Sequence, residues 1–164
     1  MGGVGTARAS QIIQYADIID KNEFMPDIEY VISSLATTIA ATLKANGIVI
    51  DPDPTGELNC ITIPNAFIFA YKDKAWIIWN DLSVQELTED YLAIGSGSEV
   101  AQGALFATKN FKNPFERVII AIQAAAESTL YVDEDVNILV TETLKTDKKQ
   151  IMDAFGVEEK DIQE

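Results

Sequence analysis

Histidine is absent from this chain of 164 residues, and cysteine occurs once, at Cys60. Without an imidazole the chain can build neither a Ser-His triad nor another histidine-based acid–base site, and it lacks the commonest metal ligand. A lone cysteine cannot form an internal disulfide, and without a second cysteine or a histidine it makes neither a zinc site nor a Cys-His nucleophile. We therefore expect a reducing, cytoplasmic setting.

Basic residues are also scarce, because 12 lysines and arginines stand against 26 acidic residues and leave a net charge of −14. Such a chain has no basic stripe to neutralise phosphates, so we expect no nucleic-acid partner and no anionic membrane partner. Nowhere do about eighteen apolar residues run uninterrupted, and no apolar run follows Arg8 near the start. The sequence therefore predicts neither a membrane span nor a signal peptide.

Apolar residues make up 48% of the chain, which is enough for one globular domain with a layered core. Two segments repeat apolar residues at helical spacing: Ile12, Ile13, Ala16 and Ile19 in the first, and Ile28, Val31, Ile32, Leu35, Ile39 and Leu43 in the second. The first segment predicts a helix from Thr6 to Lys21. The second predicts a long helix that ends at Asn46-Gly47.

The middle of the chain predicts a β-hairpin from two apolar runs, residues 66–71 and 75–79. Because apolar residues occupy successive positions in both runs, we expect both faces of this sheet to be covered. Tyr91 to Ile94 predicts a short strand that leads into Gly95-Ser96-Gly97-Ser98. A helix from Glu99 to about Lys109 follows.

The next helix has a clear start, with Asn113 as N-cap, Pro114 at the first helical position and Glu116 as a capping-box carboxylate. Its predicted apolar face consists of Val118, Ile119, Ile122 and Ala126. Val136 to Val140 predicts a final strand. Residues 1–142 are then the domain, and residues 143–164 are a charged tail with a short helix that ends at Gly156.

Two motifs resemble ligand loops but fit them poorly. Gly2-Gly3-Val4-Gly5 lacks the third glycine of a dinucleotide fingerprint, and no strand precedes it. Asp51 to Leu58 imitates the first half of a calcium loop, but Thr62 occupies the position of the closing glutamate. We interpret the first motif as an ordinary N-terminal segment and the second as a turn stiffened by proline.

Ser96 lies in the strongest local motif, where a glycine-rich turn opens a helix and its free amides face an anion or a hydroxyl. The alternative is a tight turn in which Ser98 is the N-cap. Ser96 is not in a G-x-S-x-G elbow and has no histidine to activate it, so it is not a primary nucleophile. A small-anion site at this turn is opposed by Glu99, whose carboxylate already satisfies the helix dipole.

The order of these motifs resembles a known family. The Ala93 to Ser98 turn, the following alanine-bearing helix, the Asn113-Pro114 helix start, Tyr131 and the last strand are similar to the C-terminal half of proteasome β subunits and of the bacterial HslV peptidase. Upstream, Met1 to Gly5 resembles the strand end before the first long helix of that family. The resemblance implies an α+β fold of the N-terminal nucleophile hydrolase type, a four-layer αββα sandwich with two antiparallel sheets between helix layers.

The resemblance also implies an activity and roles for single residues. Family members are threonine-type endopeptidases in which an N-terminal threonine attacks the peptide carbonyl and a backbone amide forms the oxyanion hole. Gly2 matches the oxyanion amide, or Gly5 does in an alternative register, and Val4 lies beside the substrate strand. Ser96 matches a supporting serine near the amine of the nucleophile. The implied partners are a ring-shaped homo-oligomer, an ATPase and a polypeptide substrate.

One departure from the family pattern is large, because its threonine nucleophile, aspartate and lysine precede the glycine strand and have no counterpart here. Self-cleavage at Gly5-Thr6 would supply a threonine, but Thr6 opens a helical pattern, and Asn22 and Thr38 stand where aspartate and lysine are required. We therefore expect the chain to be inactive as written. It is either N-terminally incomplete, with the leading β-hairpin missing, or a scaffold kept without its chemistry. We favour the first, because loss of the hairpin would uncover sheet edges.

The resemblance further suggests a cation, although no cofactor is required. Ala126, Thr129 and Val132 match positions whose backbone carbonyls hold a cation in HslV-like members. If the site exists, those oxygens should converge at about 2.3 to 2.6 Å from a monovalent or divalent ion. The alternative is a plain helix-to-strand turn.

Overall fold

The computed structural model describes residues 1–19, 27–48, 51–52, 61–71, 74–133, 136, 138–139 and 162–163. The chain forms two compact units, Met1–Thr88 and Glu89–Glu164. Helices and an antiparallel sheet occur together, which confirms the α+β class. The four-layer arrangement stays a prediction.

The first unit contains a four-stranded sheet of order β1-β4-β5-β6, in which every neighbouring pair is antiparallel. Its strands are β1 (Gly2–Gly5), β4 (Asn65–Tyr71), β5 (Lys74–Ile78) and β6 (Val84–Glu86). A separate antiparallel pair joins β2 (Asp51–Pro52) to β3 (Ile61–Thr62). The predicted hairpin is confirmed as β4 and β5, with Phe69 opposite Trp76.

The helices of this unit are α1 (Ala7–Tyr15), α2 (Asp27–Tyr30), a π-helical segment (Val31–Leu35) and α3 (Ala36–Ala45). The last three are continuous along the chain and form the predicted long helix, which ends at Asn46 as expected. Asn46 caps it by donating from its side-chain amide to the Thr42 carbonyl oxygen at 2.9 Å.

The core of the first unit joins the helices to one face of the sheet. Its largest fully buried side chains are Trp76, Phe67, Leu35, Ile39, Leu43, Ile78 and Val31. The Phe69 ring stacks on Trp76, with ring centroids 5.7 Å apart, and on Tyr71, at 6.2 Å. Aromatic pairs at such separations stabilise a core beyond the area that they bury.

Three predictions for this unit need correction. The first helix ends at Tyr15, and because the extended backbone at Ala16 breaks the helical spacing, Ile18 rather than Ile19 is buried. Ile32, placed on the apolar stripe, is 54% exposed, because the wider π-helical turn rotates it away from the buried residues Val31 and Leu35.

The expected coverage of both sheet faces is met only in part. Burial along β4 alternates, with Asn65, Phe67 and Phe69 buried and Ala70 exposed. On the other face, Ile77 of β5 is nevertheless buried.

The second unit is centred on two helices, α4 (Ser98–Ala107) and α5 (Pro114–Ser128). They pack mainly through alanines, because three of the four buried members of their cluster are Ala101 of α4 and Ala121 and Ala125 of α5, and the fourth is Leu105. The predicted face of α5 is therefore wrong in detail, since Val118 is exposed and Ile119 is only half-buried. Alanines permit a closer helix approach than those larger side chains would.

The predicted N-cap of α5 is confirmed, since the Asn113 Oδ1 atom accepts from the Phe115 amide at 3.0 Å with Pro114 at the helix start. The capping-box role of Glu116 stays a prediction. At α4 the N-cap is Gly97, not Ser98, because the left-handed backbone at Gly97 ends the turn one residue earlier.

The predicted strand Tyr91 to Ile94 is wrong, because this segment is irregular in the structure. Side-chain contacts take the place of strand pairing there. The Arg117 guanidinium lies 5.5 Å from the centre of the Tyr91 ring, and the Gln102 side chain donates to the Ala93 carbonyl oxygen at 3.4 Å.

Within the predicted last strand, the described residues Ile138–Leu139 form β7, which pairs in parallel with β8 (Ile162–Gln163). The predicted tail helix and most of the calcium-like segment lie outside the described residues. Within the described part of the chain, no helix is both long and apolar enough to cross a membrane.

Candidate functional site

The glycine-rich N-terminal segment forms β1, which is the end strand of the described sheet and pairs with β4 alone. Gly2 lies opposite Ile68, and Val4 lies opposite Ala66. Gly2 is exposed and Val4 is half-buried. The segment is thus a strand that runs directly into α1, as the family resemblance predicts, and is not a phosphate-binding loop.

Two glycines of β1 permit a close approach that a side chain would block. A Cβ atom on Gly3 would lie 2.5 Å from the Phe67 ring, below normal carbon contact distance. Gly5 has a φ of 126°, and its Cβ would collide with the Pro64 carbonyl oxygen. Only glycine adopts that conformation without strain. Gly2 differs, because nothing lies within 4 Å of the position of its Cβ.

The junction of β1 and α1 is organised by Asn65, which is 1% exposed and lies opposite Gly5. The Asn65 Oδ1 atom accepts from the Thr6 amide at 3.2 Å and from the Thr6 hydroxyl at 3.1 Å. Its Nδ2 atom donates to the Thr6 carbonyl oxygen at 3.2 Å and to the Ser10 Oγ atom at 3.0 Å. We call Gly5, Thr6, Ser10 and Asn65 the Asn65 corner.

This geometry bears on self-cleavage at Gly5-Thr6. Before cleavage Thr6 has no free amine to act as its base, and the carboxamide oxygen of Asn65, which accepts from the Thr6 hydroxyl, is not a base. The Thr6 amide is held by the same oxygen, and Thr6 is followed at once by α1. The structure therefore gives Thr6 a role in the junction and does not support it as the nucleophile.

In the second unit, Ser96 is exposed at a turn that two glycines shape. Gly95 and Gly97 have φ values of 101° and 78°, and the Ser98 amide closes the turn by donating to the Gly95 carbonyl oxygen at 3.1 Å. A Cβ on Gly97 would lie 2.9 Å from the Ala125 Cβ. The Ser96 turn is thus fixed against the end of α5.

The loop after α5 contains the three residues predicted to bind a cation. Ala126, Thr129 and Val132 line one open depression of about 530 Å³, together with Leu130, Tyr131 and Asp133. The Tyr131 amide donates to the Thr129 Oγ1 atom at 3.4 Å. The structure thus brings the three residues together, and ligation by their carbonyls stays a prediction. Among the described residues, no cluster of three acidic, cysteine or histidine side chains forms a metal site.

Sequence reasoning identified β1 and the Ser96 turn but missed Asn65. The available signal was weak, because a buried asparagine at the start of a strand is unremarkable without its partners, which lie 55 and 59 positions away. Gly2, Val4 and Gly5 belong to the first unit, whereas Ser96 and the cation loop belong to the second.

No protein-family model matches the chain, and a search of curated proteins finds no match either. Solved structures do match, among them BPH of Thiobacillus denitrificans and the same protein in complex with epoxomicin. This chain has a similar fold. The sequence identities are 21% and 20%, and both TM-scores are 0.56. Each alignment covers 77% of this chain, which spans 66% of the BPH chain.

Proposed function

We propose that this chain is the scaffold of a proteasome-like, threonine-type peptidase domain. The observation that carries the proposal is the fold shared with BPH, a protein solved in complex with epoxomicin, which is a proteasome inhibitor. The direct passage from the glycine strand β1 into α1 agrees with the family pattern. The proposal includes the four-layer sandwich and a relationship to HslV.

In this proposal β1 provides the binding edge. An extended peptide can pair with the side of an end strand that faces away from its neighbour, through main-chain hydrogen bonds, while side chains of alternate residues provide specificity. The Gly2 amide, or that of Gly5 in the other register, would stabilise the oxyanion of the tetrahedral intermediate. Val4 would contact the substrate, and Ser96 would support the amine of the nucleophile.

None of the residues given a role in this proposal is the nucleophile. Thr6, the threonine next to the glycine strand, has its amide and hydroxyl committed to Asn65. We propose that a segment preceding β1 in the natural product supplies both the threonine and its lysine, so that the 164-residue chain alone is inactive.

The same proposal covers the assembly and the ion. We expect a ring-shaped homo-oligomer served by an ATPase in the cytoplasm. We also expect a cation held by the carbonyls of Ala126, Thr129 and Val132. The depression that these residues line supports the cation proposal, and the neighbouring Asp133 adds negative potential.

Two measurements test the proposal. The DNA upstream of Met1 should encode, in frame, a strand that begins with threonine and a lysine further along. The full-length natural product should cleave fluorogenic peptides, and epoxomicin should inhibit that cleavage. The 164-residue chain should cleave no peptide. An immediate upstream stop codon, or a folded full-length product without turnover, would contradict the proposal.

A second candidate is a catalytically inactive structural or assembly protein with the same fold. The engagement of Thr6 at the Asn65 corner favours it, because the hydroxyl of this threonine is taken up by a structural hydrogen bond. Light scattering should then find a defined oligomer, and a peptidase assay on the full-length natural product should find no cleavage. Turnover by the full-length product would exclude this candidate.

A further inference from the structure

Strand β1 has an unusual combination of properties for a strand that presents functional amides. It is four residues long, three of them are glycines, and among the described residues it pairs with β4 alone. Glycine restricts the backbone least of all residues, and an end strand lacks the second ladder of hydrogen bonds that would fix it. Something other than β1 itself must therefore fix its position.

The Asn65 corner meets this need, because it ties the end of β1 to both neighbouring elements. Asn65 belongs to β4, and its side chain binds the backbone of Thr6 through both the amide and the carbonyl group. Through the Ser10 hydroxyl it also reaches the first turns of α1. A single buried carboxamide thus joins β1, β4 and α1.

The behaviour of Thr6 indicates that the corner is not simply a helix cap. Threonine at an N-cap normally uses its side-chain oxygen to accept from amides of the first helical turn. Thr6 makes no such side-chain capping bond, and its hydroxyl donates to Asn65 instead. The start of α1 therefore lacks the usual side-chain cap, and the Thr6 hydroxyl instead links α1 to β4.

We propose that Asn65 is a positioning residue that fixes the backbone amides of β1. The consequence for catalysis rests on the proposed function, in which one of those amides binds the oxyanion. The Asn65 side chain touches no reacting atom in this scheme. It acts through Thr6 and Gly5, by holding the strand end at a constant distance from β4.

Hydrogen exchange on the 164-residue chain tests the positioning role without requiring peptidase activity. Asn65→Asp keeps the acceptor oxygen but loses both donors, and Thr6→Val removes the hydroxyl while keeping the shape. In Asn65→Asp, the protected amides of residues 2–5 should exchange about tenfold faster relative to those of α3, as expected from losing buried hydrogen bonds. Thr6→Val should show a smaller rise, and Thr6→Ser should resemble the wild type.

Leu43→Ala is the matched control, because it opens a cavity in the core of the same unit at a residue of α3 that is not part of the Asn65 corner. It should accelerate amide exchange in α3, with no larger rise in the exchange rates of β1. The proposal would be overturned if the exchange rates of the Asn65 and Thr6 variants rose equally in β1 and α3, or if they did not rise in β1. If Asn65→Asp fails to fold, Thr6→Val and Ser10→Ala give the same comparison with milder changes.

The catalytic consequence has a separate measurement in the full-length natural product. Thr6→Val should lower kcat per titrated active site more than it raises KM, because the misplaced amide stabilises the transition state less. An unchanged kcat would refute the link to catalysis. A wild type without turnover would contradict the proposed function alone, and the exchange ratio would still decide whether Asn65 positions β1.

Discussion

Individual glycines of β1 are required for different reasons, and Gly5 has the strictest requirement. Its positive φ and its contact with the Pro64 carbonyl oxygen leave no space for a side chain, whereas the Cβ position of Gly2 is open. Alanine substitution at each position therefore distinguishes a glycine that the structure requires from one that it does not.

Gly5→Ala should destabilise the fold by roughly 2 kcal/mol or more, because it combines an unfavourable backbone conformation with a collision. Gly2→Ala should change the free energy of unfolding by less than about 0.5 kcal/mol, the usual range at an open surface position. Urea unfolding of both variants measures the difference. Equal effects at the two positions would contradict the geometry of β1.

Asp81 illustrates how a turn residue makes stability depend on pH. Its carboxylate accepts from the Ser83 hydroxyl at 2.6 Å and from the Ser83 amide at 2.9 Å. These bonds hold the pKa of Asp81 below its usual value of 3.8, with the Ser83 hydroxyl as the larger cause. Because folding lowers this pKa, the stabilisation is present above about pH 3.8 and is lost as the pH falls through the lowered value.

Asp81→Ala should therefore lower the Tm at neutral pH, and its difference from the wild type should shrink as the pH falls below 3.8. Asp17→Ala, at an exposed position, is the control for general effects of removing a carboxylate. Thermal unfolding from pH 7 to about pH 3 makes the comparison. A difference that grows on acidification would show that the Ser83 bonds do not stabilise the charged form.

Helix α4 and its N-cap have one glycine each, with opposite roles. Gly103 lies within the helix and is exposed, with nothing within 4 Å of its Cβ position. Gly97 is the N-cap, has a left-handed backbone, and is pressed against Ala125 and Thr129. Helix propensity should decide the outcome at the first position, and packing should decide it at the second.

Gly103→Ala should stabilise the protein by about 0.5 to 1 kcal/mol, because alanine loses less backbone entropy in a helix. Gly97→Ala should destabilise it by about 1 to 3 kcal/mol through backbone strain and contact with α5. Thermal and denaturant unfolding of the two variants test both signs. A stabilising Gly97→Ala would mean that the Ser96 turn can adopt another conformation.

The whole molecule carries a net charge of −14, which favours solubility but destabilises the compact state through self-repulsion. Salt screens charges at the surface, with a Debye length of about 8 Å at physiological ionic strength. The Tm should therefore rise when NaCl increases from about 10 to about 150 mM. Replacing the exposed pair Glu89 and Asp90 by Gln and Asn should reduce that rise. A Tm that falls with salt would indicate that attractive ion pairs dominate.

The sequence by itself determined the features that depend on nearby residues. The cap at Asn113, the end of the long helix at Asn46 and the hairpin of β4 and β5 all follow from local hydrogen bonding and periodicity, and the structure confirms them. The absence of histidine likewise excluded whole classes of chemistry without reference to any fold.

Tertiary structure alone decided which side of an element is buried and which distant residues meet. Spacing suggested that Ile32 and Val118 face the core, but a π-helical turn and the packing of α4 on α5 through alanines exposed both. Tyr91 to Ile94 has the composition of a strand, yet contacts from Arg117 and Gln102 hold it as an irregular segment. The Asn65 corner depends on residues more than fifty positions apart, because a buried amide is satisfied only by partners that folding brings to it.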